Sequence, residues 1–266
     1  MRTVPPISAL ALLLALGACG DDPSAPEGTV PLRLSVAVGA AAPVAATPAA
    51  PLGMSEVFDD GVHELVLDRV AIVLSEIELE GSVEGCPVGP DDDDDGFDDD
   101  DCEEFETGPV LVELPLDGSV DRMLEVFVAP GTYDELEFEI DTPDGDDVRE
   151  ESFLSEHPDF EGVSVRVEGT WDGDAFVFVQ DVDAEQEIDL VQPIVVAEGD
   201  EVRNLTLRLD ISGWFVDGNG LLIDPSTALA DGPNEELVVD NIEASFEAFE
   251  DDDEDGEDDE DGPDDD

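Results

Sequence analysis

Alternation of apolar and polar positions dominates the chain from residue 29 to residue 215. In TVPLRLSVAVGA, Leu32, Leu34, Val36 and Val38 recur at every second position, which predicts a first strand over Thr29–Ala40. In HELVLDRVAIVLSEIELEG, Val70, Ile72 and Leu74 share one parity and Ile77 and Leu79 the other, so the strand has to bulge or break near Ser75. PVLVELPL follows. RMLEVFVAPGTYDELEFEID then holds two runs divided by Ala129-Pro130-Gly131. In the second run Leu136, Phe138 and Ile140 point one way and Glu135, Glu137 and Glu139 the other, the pattern of a half-buried hairpin partner. SVRVEGTWDGDAFVFVQDV predicts a hairpin turning at Trp171-Asp172-Gly173-Asp174, and NLTLRLDISGWF directs Leu205, Leu207, Leu209 and Ile211 inward.

Many short alternating runs separated by Gly, Asp and Pro predict an all-β fold, an antiparallel β-sandwich over residues 29–249. Helix is scarce. The best candidate is PNEELVVDNIEASFEAF, where Leu237, Ile242, Ser245, Phe246 and Phe249 can share a face and Asn234 can cap the start. Residues 41–60 read as an Ala/Pro-rich connection and residues 85–108 as an acidic insert. From residue 250 to 266 the text EDDDEDGEDDEDGPDDD predicts a disordered, solvated brush, although DDDEDG repeats a spacing met again in the insert.

Composition narrows the partners. The 75 acids stand against 8 basic residues, all arginine, for a formal charge of −67. Nucleic acid and anionic lipid surfaces would be repelled. A 41% hydrophobic content still supports a core. Such an acid excess without lysine suits a salty setting, where screening shortens self-repulsion to ~3 Å at 1 M ionic strength.

The first residues, MRTVPPISALALLLALGACGDD, place Arg2 before an apolar run that is too short to span a bilayer and ends in small residues, so residues 1–18 read as a secretory signal. LGAC resembles the lipobox of bacterial lipoproteins. The resemblance implies that Cys19 is lipidated and becomes the mature N-terminus, with residues 19–28 a linker and the membrane reached through the lipid. Gly20 after that cysteine goes with the outer membrane in this class, so the expected place is the bacterial cell envelope. Cys86 and Cys102 then remain as an even pair in an oxidising compartment. A disulfide between them is the economical reading, contributing about 3 kcal/mol in the chain-entropy account. Free thiols or a zinc site are the alternatives; with only His63 and His157 elsewhere, zinc ligands are few.

Between those cysteines runs GCPVGPDDDDDGFDDDDCEE. Asp91, Asp93, Asp95 and Gly96 fit the first half of a D-x-D-x-D-G calcium loop, in which alternate carboxylates converge on one hard cation. Phe97 can offer its carbonyl, and Asp99 and Glu103 further oxygens. Where an EF-hand has its bidentate glutamate this chain has Cys102. The stretch more closely resembles the aspartate-rich repeats of thrombospondin type 3, although Cys102 falls one residue late. The alternative is a solvated acidic loop with diffuse counterions.

A wider resemblance rests on Pro130-Gly131-Thr132-Tyr133 before a strand, on DRVAIVLSEIELEG ahead of it and on LTLRLDIS after it. Over roughly Val30 to Phe215 the chain resembles a domain of unknown function widespread in bacterial and archaeal envelope lipoproteins. That resemblance implies a sandwich of immunoglobulin or transthyretin type, with no activity or catalytic residues to transfer. The acidic insert and tail depart from it.

Enzymatic motifs are missing. There is no G-x-S-x-G elbow and no H-E-x-x-H pair, so a non-enzymatic binding or structural role is expected. Two other classes compete. An envelope polymer or carbohydrate module would stack sugar rings on Trp171 or Trp214, and an envelope hydrolase would use paired carboxylates such as Asp181 and Asp183. A protein partner in the envelope is a further expectation.

Overall fold

The change of parity predicted near Ser75 is built into the longest strand, β3 (Glu64–Val83). Its register against β6 (Gly131–Ile140) shifts between Ser75 and Glu78, and Glu76 takes a positive φ of 48°. The extra residue lets Val70, Ile72 and Leu74 on one side of the bulge, and Ile77 and Leu79 on the other, all reach the same core; each is at most 3% exposed. The computed structural model that contains this strand describes residues 29–39, 55–83, 107–145, 147–200, 202–251 and 256.

Two sheets face each other. The larger runs β8 (Asp174–Gln180), β7 (Val165–Trp171), β3, β6 and β9 (Ala184–Val196), with β2 (Glu56–Asp59) and β4 (Val110–Glu113) also paired to β3. The smaller runs β11 (Phe246–Glu250), β10 (Arg203–Leu209), β1 (Val30–Val38) and β5 (Val120–Val128). Leu32, Leu34 and Val36 of β1 and Leu205, Leu207 and Leu209 of β10 meet Leu136, Phe138 and Ile140 of β6 in one core. Fully burying side chains of this kind contributes roughly 1.5–3 kcal/mol each.

The sandwich departs from a purely antiparallel one at a single pair among the described residues. β1 and β10 run parallel, from Leu32 opposite Arg203 to Val38 opposite Leu209. No hairpin joins these distant segments, so no tight turn forces them antiparallel. A second departure lies at Ala129-Pro130. β5 belongs to the smaller sheet and β6 to the larger, so this dipeptide carries the chain across the core and is not a hairpin turn. Tyr133, wholly buried, donates its hydroxyl hydrogen to the Ala129 carbonyl at 2.8 Å and ties down the crossing. The predicted hairpin at 171–174 does form, with Asp172 and Gly173 both at positive φ (51° and 85°), as a two-residue primed turn requires.

Helix α1 (Val148–Glu156) lies where no helix is predicted. Asp147 caps it by accepting the amides of Arg149 and Glu150 at 2.6 and 2.9 Å. Phe153 and Phe160 then seat on Ala71 and Val73, covering one end of the larger sheet's outer face. Helix α2 (Glu235–Glu243) is shorter than its sequence suggests. Its buried residues are Val238 and Ile242, whereas Leu237 is 36% exposed, and Phe246 and Phe249 belong to β11. Asn234 stands at the N-cap position without a side-chain capping bond; its amide donates to Thr227 Oγ1 instead, at 2.8 Å. The expected domain end at residue 249 falls inside β11.

Candidate functional site

Past the bulge at Glu76, β3 turns Glu78 and Glu80 to the outer face of the larger sheet, while Ile77 and Leu79 stay inside. β6 alternates in step. Glu78 is opposite Glu137 and Glu80 opposite Glu135. On the other side of β6, Glu139, Glu137 and Glu135 face Glu185, Glu187 and Asp189 of β9. Pairing therefore lays rows of carboxylates across three adjacent strands. Carboxylate oxygens of Glu78, Glu80 and Glu137 lie within 4.8 Å of one another, as do those of Glu137, Glu185 and Glu187. Glu137 belongs to both groups.

Like charges directly opposite destabilise a sheet, and protonation is one relief. Partial burial, then a hydrogen bond with Glu185, then the charge of Glu80 push the Glu137 carboxyl up to about 7. A hydrogen bond between two carboxyls needs a proton, which Glu137 carries. Partial burial and the Glu80 charge raise Glu135; partial burial and the Glu76 charge raise Glu139. Arginines pair on other parts of the surface, Arg69 with Glu113 and Glu168, Arg203 with Glu250 and Arg208 with Glu247. The carboxylate face can take up protons near neutrality, and its oxygens are the donors hard divalent cations prefer.

A second polar cluster closes one end of the sandwich. His63 stacks on Trp171 with ring centroids 4.8 Å apart and lies 2.8 Å from Asp172 Oδ2 through Nδ1. Asp172 Oδ1 accepts the Glu64 amide, and Asp60 accepts the amides of Val62, His63 and, across from a distant loop, Leu222 at 2.9 Å. The hydrogen bond to Asp172 raises the His63 pKa, and those same contacts lower Asp172 and Asp60.

The carboxylates proposed from sequence for hydrolysis, Asp181 and Asp183, line a groove of about 520 Å³ together with Glu235, Glu236 and Glu243 of α2. Burial raises Glu243. Among the described residues no Lys, Arg or His lines the groove. Trp214, expected as a stacking residue, is fully buried in the core beside Phe215, with no ring face for a ligand. Trp171 is half-buried and gives one face to His63. Cys19, Cys86, Cys102, Asp91, Asp93, Asp95, Phe97, Asp99 and Glu103 lie outside the described residues.

The carboxylate face was not singled out from sequence. Glu135, Glu137 and Glu139 are legible as an outward set on one strand, but that they meet two further acidic strands depends on the order β3, β6, β9. Among the described residues no helix is long and apolar enough to cross a membrane. No family model matches the chain, and neither the curated proteins nor the solved structures contain a match.

Proposed function

We propose that the protein is a lipid-anchored module of the bacterial cell envelope with a non-enzymatic binding or structural role, in which the carboxylate face and the Asp-rich insert gather divalent cations, calcium foremost. One observation carries the reading. Glu137 sits in two carboxylate groups at once, and its pKa of about 7 reports a face crowded enough to hold a proton near neutral pH. A divalent ion relieves the same repulsion and competes with that proton. The insert adds the D-x-D-x-D-G spacing at Asp91, Asp93 and Asp95, with Phe97, Asp99 and Glu103 completing the oxygen set and a Cys86–Cys102 bridge holding its ends. Affinities of ~10⁻⁴–10⁻³ M suit an extracellular module. Anchoring through Cys19 rests on LGAC, and membership of the envelope lipoprotein family on Pro130-Gly131-Thr132-Tyr133 and its flanking strands.

Calorimetric titration of the mature domain with calcium at pH 7 in two buffers of different ionisation enthalpy tests this. Binding should release protons. Glu137→Gln with Glu185→Gln should remove the proton release, and Asp93→Ala with Asp95→Ala should remove a separate binding phase. Heats no larger than those of sodium at matched ionic strength would leave only screening and defeat the proposal.

A further inference from the structure

By strand parity, Ser35 of β1, Thr206 of β10 and Phe249 of β11 stand in one row on the outer face of the smaller sheet. Ser35 is opposite Thr206, and Thr206 opposite Phe249. Outward positions of a two-layer sandwich ordinarily meet water. Here Ser35, Thr206 and Phe249 are 1%, 0% and 5% exposed, and Ala37, next on the same face of β1, is 4% exposed. This face is covered.

The chain beyond β11 supplies two fixed points on it. Asp251 is itself wholly buried; its Oδ2 accepts the Thr206 hydroxyl at 2.8 Å and the Gly256 amide at 3.0 Å. A carboxylate removed from water is tolerated only when donors replace the lost hydration. Gly256 has φ +80°, and a Cβ placed there would lie 3.0 Å from Val120 Cγ2 and 3.6 Å from the Ala37 Cβ. Its backbone therefore rests on β5 and β1, in a conformation that glycine adopts without penalty. Both ends of the stretch 251–256 bear on the same face, one over Thr206 and the other over Ala37.

We infer that the outer face of the smaller sheet is the docking surface of a strap from the chain's own C-terminal part, fixed there by Asp251 and Gly256. With Gly256 as a fixed point, the folded domain does not end at the start of the acidic run.

Three chains test this: full length, ending at 256 and ending at 250, each with and without Thr206→Val, melted in 1 M NaCl, where charge self-repulsion reaches only ~3 Å. The chain ending at 256 should keep the full-length Tm within about 1 °C, and the chain ending at 250 should lose roughly 2–4 °C. Thr206→Val should lower Tm where Asp251 is present and leave it unchanged where Asp251 is missing. Equal effects of Thr206→Val in all three chains, or a chain ending at 250 that melts like full length, would overturn the strap. A chain ending at 256 that melts as low as the one ending at 250 would overturn its stated extent. If the shortest chain does not fold, Gly256→Val in full length is decisive: it should lower Tm by several degrees, and an unchanged Tm would refute the docking.

Discussion

His63 and Asp172 join two turns 109 positions apart: Nδ1 lies 2.8 Å from the carboxylate while the imidazole stacks on Trp171. Through His63, whose pKa is raised above its ordinary 6.5, the contact contributes stability that is full below 6.5 and lost as pH rises through the higher folded value. Through Asp172, lowered from 3.8, the contribution is full above 3.8 and lost on acidification. A protonated imidazole quenches a stacked indole. Tryptophan fluorescence should therefore rise as pH is taken upward past 6.5, with a midpoint that falls in Asp172→Asn and an amplitude that vanishes in Trp171→Phe. A wild-type midpoint at or below 6.5 would contradict the pairing.

The carboxylate face shares the pH sign of His63 and opposes that of Asp172. Glu137 holds its proton to about 7 in the fold and releases it near 4.5 when unfolded, so its repulsion is absent below 4.5 and full above 7. Between those values it erodes stability as pH rises. Glu137→Gln should raise Tm at pH 7.5 by about 1–2 °C, a small effect because the group is largely solvated, and should leave Tm at pH 4.5 unchanged. Thermal melts of both proteins across that range would show it.

Tyr133→Phe keeps the ring and deletes the hydrogen bond to Ala129. The part-buried carbonyl at the crossing between sheets loses that donor, at a cost of about 1 kcal/mol by urea unfolding. A loss below 0.3 kcal/mol would mean the hydroxyl does not fix the crossing.

Phe153→Ala should cost about 3–4 kcal/mol, because it empties the small core that α1 forms over Ala71 and Val73. Amides of α1 should then exchange with solvent far faster than those of β3, while the main core stays protected.

Much of the strand pattern was legible because each feature is local. The parity change at Ser75, the Asp-Gly turn after Trp171 and the inward set Leu205, Leu207 and Leu209 follow from period-two alternation alone. Features that depend on distant partners were hidden. The parallel pairing of β1 with β10 joins segments roughly 170 positions apart, and nothing in LRLSVAV distinguishes it from an antiparallel partner. Helix α1 was missed although Asp147 and Glu150 carry a capping signal, because only Phe153 of its residues is buried and an apolar period scarcely shows. Phe246 and Phe249 fit a helical face after Ile242 as readily as a strand; Ala244-Ser245 break the run, and the open edge of β10 takes them up. The candidate face was half legible for a related reason, since each acidic strand reads outward alone and only sheet order brings the three together.

Where β1 lies has a mechanical meaning. It is an inner strand of the smaller sheet, hydrogen-bonded along its length to β10 on one side and β5 on the other. A pull transmitted from the N-terminal side at Val30 loads both ladders in shear, so their bonds must fail together and not one at a time. A domain tethered from that end resists extraction by drag, whereas the same force applied at β11, an edge strand, would peel it open.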